Sequence, residues 1–365
     1  MRVGLVIYGS LNTLSGGYLY DRLLVENLAR AGHSVEIVSL PWRGYGAHLT
    51  DNFSSEVRRL LMRKRVDVWL QDEMNHPSLF RLNRALRRSG GPPLLSIVHH
   101  LRSNENHPAV WMPLYRAVER AYLRSVDGWL FNSRTTRQTV EALTGQRRPA
   151  AVATPGGDRL MGAVPLGESE IASRCDQDGP LRVVFVGNLT PRKGLHFLLD
   201  ALGRIPSANW QLDVVGRMNM KPAYTRSLMK TLQASPWKDQ VRFHGALDQD
   251  ELKAVYRSSQ VLAVPSSYEG FGIVYLEGFS FGLPAVGTTY GAAGEVIGSG
   301  DSGLLIPPGD APGLAAGLAR LANDRGHLLT LSLGARRRYL TFPGWEASMN
   351  SARLWIESMA AGGGA

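Results

Sequence analysis

The residues with the most specific chemical promise are two glutamates eight positions apart. Glu269 and Glu277 bracket Gly270, Phe271, Gly272 and Ile273 in the run from Pro265 to Glu277. An apolar strand, Val261 to Val264, precedes the run, and the apolar stretch Ile273 to Phe281 reads as a buried helix. Gly270 and Gly272 therefore fall in a strand-to-helix turn. Their missing side chains let backbone N–H groups approach a ligand, and the positive end of the helix favours an anion there. A carboxylate beside a bound diphosphate would be repelled, so Glu269 needs another partner. Sugar hydroxyls are donors that a carboxylate accepts. Glu277 lies roughly 12 Å further along a mostly helical chain, placed to reach a ribose diol while Glu269 reaches a hexose.

A second constellation runs through Gly187, Asn188, Leu189, Thr190, Pro191, Arg192, Lys193 and Gly194. It passes from the strand Val183 to Val186 through a glycine turn into a helix, Leu195 to Leu202. Two cations at a helix start oppose the helix dipole. They become sensible if an anion lies between them and the helix end, with Arg192 forking onto phosphate oxygens and Lys193 acting as a point charge. In the first half, His99 and His100 follow the strand Leu94 to Val98, so at least one imidazole is a candidate for substrate contact. His33, His76 and His107 have no comparable placement. No His, Asp or Glu group shows metal-ligand spacing, and no metal is expected.

These groups need elements to position them. Along the chain, short Val/Ile/Leu runs alternate with amphipathic stretches. In the first half, strands are expected at Val3–Tyr8, Val35–Leu40, Val66–Leu70, Leu94–Val98 and Gly128–Phe131. Helices are expected at Tyr18–Ala31, Val57–Lys64, Phe80–Arg88 and Pro113–Leu123. The Gly9 to Gly17 stretch reads as a loop. The segment from Gly162 to Pro180 lacks periodicity and reads as a linker. Alternation then restarts with strands at Val183–Val186, Gln211–Val215, Val241–Phe243, Val261–Val264, Ala285–Gly287 and Gly303–Ile306. Strands buried on both faces and separated by helices make parallel sheets covered by helices. The fold class is therefore α/β, with two doubly wound Rossmann-like halves expected at 1–165 and 180–340. Ligands bind such sheets beyond the carboxyl ends of strands, at topological switch points, so a cleft is expected between the halves. A final helix from about Trp345 to Met359 is expected to complete the first half over 343–361, and the Gly362 to Ala365 tail is expected to be disordered.

Composition narrows the function classes. The 365 residues are 44% hydrophobic and 20% charged, enough to build sizeable cores. Cys175 is the one cysteine, so no intrachain disulfide and no cysteine-based zinc site is available. That suits a reducing cytoplasm. No apolar run is long enough for a transmembrane helix, and Met1 to Ser10 reads as a buried strand rather than a signal peptide. The net charge is +10. Residues 1–160 hold 22 Lys/Arg against 13 Asp/Glu, and residues 161–365 hold 19 against 18. The basic excess in the first half fits a solvated surface, or attraction to an anionic membrane face or acidic acceptor. Nucleic acid is not expected, because no reader motif accompanies the charge. G-x-G-x-x-G, G-x-x-x-x-G-K-[ST] and G-x-S-x-G are all missing, which argues against a dehydrogenase, a P-loop NTPase and an α/β-hydrolase.

Over essentially the whole chain the sequence resembles the retaining glycosyltransferases of family four, which have the GT-B fold. The most specific part is the E-x₇-E element, Glu269 to Glu277, within EGFGIVYLEG. Next is the Gly187 to Gly194 loop. Weaker echoes are Gly16-Gly17, Pro155-Gly156-Gly157-Asp158, Gly245, Gly282-Leu283-Pro284, Gly309 and Phe342 to Glu346. The resemblance implies that Gly16 and Gly17 contact the diphosphate or the acceptor. It implies that Arg192 and Lys193 hold the diphosphate and stabilise the leaving nucleotide. Glu269 would bind donor-sugar hydroxyls, with Gly270, Phe271, Gly272 and Ile273 offering backbone donors. Glu277 would hold the ribose, and Arg242 to Gly245 with Leu252 would lie near the nucleobase. His99 or His100 would sit near the reacting carbon, His99 being the better match. Asn188 stands where many relatives have Arg, which shifts the phosphate clamp towards Arg192. The implied reaction moves a hexose from a UDP- or GDP-linked sugar to a hydroxyl of a saccharide or lipid-linked acceptor, by front-face attack and without a metal or other cofactor. A sugar-nucleotide epimerase, a phosphorylase-like enzyme and a non-catalytic binding module of the same fold are the rivals.

Overall fold

The computed structural model describes residues 1–362. The expected disordered tail, apart from Gly362, lies outside the described residues. The chain divides into two units: Met1–Pro155 joined by the segment from Trp345 onward, and Gly156–Gly344.

The first unit begins β1 (Arg2–Tyr8), α1 (Gly16–Arg30), β2 (Ser34–Leu40), α2 (Tyr45–Thr50), α3 (Ser55–Arg63), β3 (Val68–Asp72) and α4 (His76–Arg88). It continues β4 (Leu94–Val98), α5 (Met112–Leu123), β5 (Gly128–Phe131), α6 (Arg134–Thr144) and β6 (Ala150–Val152). The sheet order is β2-β1-β3-β4-β5-β6, with every pairing parallel. β3, β4 and β5 are buried along their whole lengths. That is the signature of a sheet covered on both faces, and it explains their unbroken apolar runs. Because β2 lies on one side of β1 and β3 on the other, the winding reverses between β1 and β3. The open crevice of a doubly wound sheet falls at that reversal.

The second unit runs α7 (Glu168–Cys175), β7 (Leu181–Val186), α8 (Leu195–Leu202), β8 (Trp210–Val215), α9 (Pro222–Gln233), β9 (Val241–Gly245) and α10 (Gln249–Ser258). It goes on with β10 (Val261–Ala263), α11 (Ile273–Ser280), β11 (Ala285–Thr288), α12 (Ala293–Val296), β12 (Gly303–Ile306), α13 (Ala311–Asn323) and α14 (Arg325–Tyr339). The order is β12-β11-β10-β7-β8-β9, again all parallel. Here the reversal lies between β7 and β10. The turns after those two strands carry Gly187–Gly194 and Pro265–Gly272, so both predicted constellations meet at one switch point. The last helix, α15 (Trp345–Gly362), buries Trp345, Met349, Ala352 and Ile356 at helical spacing and packs on α1 in the first unit.

Three expectations change. The segment 162–180 is not an open linker, because it contains α7. Ile171 and Cys175 are buried one turn apart, and Arg174 beside them bonds the carbonyl of Gly282 at 3.0 Å. The helix has only eight residues between Gly, Pro and Asp, too few for a clear period. Gly16 and Gly17 are not loop residues. They open α1, with the Ser15 side chain accepting the N–H of Tyr18 as N-cap. Arg192 and Lys193 do not occupy the first turn of α8. They form a separate 3₁₀ turn, Pro191–Lys193, and Gly194 at φ +75 then turns the chain into α8. A Cβ there would strike the carbonyl of Pro265, so glycine lets the two site turns pack closely. Among the described residues no helix is long and apolar enough to cross a membrane.

Candidate functional site

In the second unit, strands β7 and β10 lie side by side and deliver the two turns to the same spot. Lys193 Nζ donates to Glu269 Oε1 at 2.5 Å, and Ser266 Oγ donates to the same oxygen at 2.5 Å. Arg192 lies 3.6 Å from Glu269 Oε2 and donates to the carbonyl of Tyr268 at 2.8 Å. The backbone closes the junction, with the N–H of Ser267 bonded to the carbonyl of Arg192 at 2.8 Å. On the far side, the carbonyl of Glu269 accepts from Ala292 N–H at 2.8 Å. Thr288 Oγ1 donates to the Ser266 carbonyl at 2.6 Å, and the Tyr275 hydroxyl donates to that of Val264 at 2.8 Å. The acid is thus gripped on both sides by bonds that fix its backbone.

Burial by itself would raise the Glu269 pKa. The Lys193 and Arg192 charges, with the hydrogen bonds from Lys193 and Ser266, overcome that and bring it down to about 2. Lys193 falls below the usual lysine range, because burial and the neighbouring Arg192 outweigh Glu269. The cluster carries two cations and one anion, a surplus of one positive charge. Beside it, α11 starts at Gly272, whose φ of +95 suits glycine, and no side chain caps that end. Uncapped N–H groups and spare positive charge are the components of a phosphate site. Behind the turn, Gly187, Gly216 and Gly245 line up at the carboxyl ends of β7, β8 and β9. Gly216 N–H donates to the Gly245 carbonyl at 2.7 Å, and a Cβ on Gly187 would sit 3.5 Å from the Lys193 stem.

The other predicted residues fall in varied places. Glu277, on α11, is buried, and its Oε1 accepts both Nε (3.1 Å) and a terminal nitrogen (2.7 Å) of Arg159. Arg159 escaped the sequence reading, although it directly follows the Pro155–Asp158 echo. Asn188 Oδ1 accepts the Arg217 N–H at 3.2 Å. Phe271 is a core residue packed edge-on to Phe342, so only its backbone can serve a ligand. Leu252 is likewise a core residue of α10. Arg242 is exposed and stands near the amino end of β9. It is three residues, roughly 10 Å, short of Gly245 at strand spacing.

The first unit has its own polar centre at its switch point. His99, just beyond β4, bonds Asp21 of α1 through Nε2 at 3.1 Å, and its backbone N–H donates to Glu73 Oε2 at 3.0 Å. Asp72 ends β3 beside them. Ligand atoms of Asp21, Asp72 and His99 all lie within 4.8 Å of one another, all three residues are buried, and one oxygen of each aspartate has no hydrogen-bond partner. This is the grouping among the described residues whose donor set could hold a metal, and the spacing of Asp21, Asp72 and His99 in sequence gave no sign of it. Burial opposes charge on His99, but Asp21 and Glu73 outweigh it and raise its pKa. Burial, Glu73 and Asp21 push Asp72 well above the carboxylate range. Gly17 lies against the His99 ring, where a Cβ would come within 3.2 Å. His100 instead pairs with Glu105 at 3.0 Å nearer the surface. The structure therefore gives the two histidines different settings.

With this geometry in place, comparison with known proteins is informative. The family model described as "Glycosyl transferases group 1" matches residues 169–338. The phosphatidyl-myo-inositol mannosyltransferase of Mycobacterium leprae is 30% identical over 332 residues, covering 87% of this chain and 81% of that protein. The chain belongs to the group 1 glycosyltransferases. An uncharacterized glycosyltransferase of Methanocaldococcus jannaschii is 34% identical over 151 residues, 41% of this chain. A glycogen synthase of Mycobacterium tuberculosis is 26% identical over 278 residues, 74% of this chain. The chain spans 38% and 63% of the lengths of those two relatives. Among solved structures, sucrose-phosphate synthase from Thermosynechococcus elongatus has a TM-score of 0.81 at 21% identity, over 99% of both chains. Anabaena HepE in complex with UDP and glucose has a TM-score of 0.76 at 18% identity, over 98% of this chain and 100% of that one. This group 1 member thus has the GT-B class of fold, two Rossmann-like parallel-sheet units.

Two outcomes follow from the charges. Glu269, held at about 2 rather than 4.5, is favoured as the ionised acid in the folded state, while the lowered Lys193 pKa takes back part of that gain. A depressed carboxylate contributes fully above its unfolded pKa and loses the contribution as pH falls towards the folded value. Urea midpoints of Glu269→Gln should therefore lie below the parent's at pH 7 and approach it as pH falls from about 4.5 towards 2; a pH-independent gap contradicts the pairing. In Asp21→Asn, an NMR titration should find His99 deprotonating at lower pH than in the parent, and an unmoved His99 would remove Asp21 as its counter-charge.

Proposed function

We propose that this group 1 glycosyltransferase moves a hexose from a UDP- or GDP-linked sugar to a hydroxyl of a saccharide or lipid-linked acceptor, with retention at the anomeric carbon. The observation that carries the reading is the Arg192–Lys193–Glu269 cluster at the second unit's switch point, beside an uncapped helix start. Its surplus charge suits a diphosphate. When phosphate oxygens take over Lys193 and Arg192, Glu269 becomes free to accept from hydroxyls of the attached sugar, and the two cations neutralise charge that grows on the leaving diphosphate. N–H groups of Gly270 to Ile273 complete the cradle, and Glu277, oriented by Arg159, faces the ribose. His99 is the histidine we assign to the sugar, because its ring is fixed by Asp21 and Gly17, whereas His100 is engaged by Glu105. Gly16 and Gly17 then serve through the start of α1.

The chemistry assigned is front-face attack by the acceptor hydroxyl, with the departing phosphate taking its proton. Bound cations and the helix end supply the electrostatics, so no metal is assigned to the donor. The single cysteine fits a cytoplasmic setting. Support for sugar transfer over epimerisation or phosphorolysis comes from the family relatives, several of which are named mannosyltransferases.

The experiment pairs product analysis with calorimetry. UDP- and GDP-sugars are incubated with saccharide acceptors, and the new linkage is read by NMR. An α-linked product from an α-linked donor is expected, while an epimerised nucleotide sugar, a sugar phosphate or no reaction with any donor contradicts the reading. In parallel, Lys193→Ala should weaken nucleoside diphosphate binding by about 10- to 100-fold, as for one lost charged hydrogen bond, and leave nucleoside binding unchanged. Equal losses for both ligands would remove Lys193 from the phosphate.

A further inference from the structure

Because β7, β8 and β9 are successive neighbours, right-handed crossovers put α8 and α9 on the same side of the second sheet. Between them lies a groove of about 590 Å³. α8 lines it with His196, Leu199, Asp200 and Gly203, and α9 lines it with Tyr224, Ser227, Leu228 and Thr231. Each set runs i, i+3, i+4, i+7, so one face of each helix is turned to the groove. On its other flank α8 packs against α13.

The groove is tied at both ends. At one end the Tyr224 hydroxyl accepts the His196 N–H at 3.3 Å and donates to His196 Nδ1 at 2.9 Å. At the other, the Trp237 ring closes on Gly203, just past the end of α8. Gly203 has an ordinary helical φ of −63, so the backbone does not demand glycine. A Cβ there would come within 3.0 Å of the indole nitrogen, so glycine makes room for the ring. Buried Trp210 holds that indole edge-on at 5.7 Å.

The lining decides what chemistry fits. Leu199 and Leu228 form a buried apolar floor. His196, Tyr224 and Trp237 are half-buried aromatic walls. The rim is polar and neutral, because its charged residues, Asp200 and Arg204, pair with each other at 3.2 Å. A phosphate finds no spare cation here, and a purely apolar ligand would leave the polar rim unused. Since Nδ1 accepts from Tyr224, the neutral His196 ring carries its proton on Nε2. Among the described residues, this Nε2, the Trp237 indole N–H and the Ser227 hydroxyl have no hydrogen-bond partner, and Asp200 offers acceptors. A pyranose matches that set. Its C–H face packs on an aromatic ring, and its hydroxyls both donate and accept around the edge.

We propose that the α8–α9 groove is a second carbohydrate site, which holds a neutral oligosaccharide outside the Arg192–Lys193–Glu269 cluster. The proposal goes beyond the assigned reaction and does not depend on it, since no residue of that cluster lines the groove. The test is isothermal titration calorimetry of the full chain with maltotriose, mannotriose and tri-N-acetylchitotriose. At least one should bind the parent saturably, and excess UDP or GDP should leave that binding unchanged. Trp237→Ala should weaken it at least about tenfold, as for one lost aromatic contact at the centre of a site. Gly203→Leu, which fills the groove and keeps its polar groups, should do the same, with melting curves confirming that both variants fold. Glu269→Gln and Trp111→Ala, the latter removing a tryptophan of the first unit that is 51% exposed, should bind as the parent does. Loss in either of these two with binding kept in Trp237→Ala would overturn the site and move the saccharide elsewhere. No binding of any trisaccharide would overturn the proposal. If the apolar dye anilinonaphthalene sulfonate then bound the parent and not Trp237→Ala, the groove would be an apolar pocket instead.

Discussion

The second unit turns on one ion pair, Lys193 with Glu269. Its members are 76 residues apart and meet because β7 and β10 are neighbours at the point where the sheet reverses direction. Buried pairs contribute little net stability, since removing two charges from water costs nearly what their attraction returns. Their value is positional. With Ser266, Thr288 and Tyr275 fixing the acid's turn and Gly194 fixing the base's turn, the pair sets where positive charge sits before any ligand arrives. Preorganised charge of that kind needs no rearrangement cost at the moment of reaction.

The same topological rule operates in the first unit with different chemistry. At the β1–β3 reversal the sheet gathers Asp21, Asp72, Glu73 and His99, an acidic surround for one imidazole. The two centres have opposite character, spare positive charge in the second unit and spare negative charge around His99 in the first.

Much of this was legible in sequence because the informative residues were local. Glycines between two glutamates, or a glycine turn ending in Arg-Lys, mark a strand-to-helix junction on their own, and strands buried on both faces announce themselves as continuous apolar runs. What stayed hidden depended on contacts between distant segments. Asp21 and His99 are 78 positions apart, and Arg159 and Glu277 are 118 apart. Neither pair has a spacing that betrays it. Gly16 and Gly17 looked like loop residues because glycine is a poor helix former, yet Gly17 is needed where α1 passes the His99 ring. The basic excess was visible as a sum, while the gathering of Arg58, Arg81, Arg84 and Arg88 around one groove required the register of α3 and α4 and the turn that precedes α3.

The central claim is that the Arg192–Lys193–Glu269 turn and the start of α11 form a diphosphate-sugar site. A crystal structure at saturating UDP- or GDP-sugar tests it most directly. The account predicts diphosphate oxygens on Lys193, Arg192 and the Gly272–Ile273 amides, with Glu269 turned to sugar hydroxyls. A ligand bound elsewhere, or Lys193 still locked to Glu269 beside a water-filled turn, would contradict it.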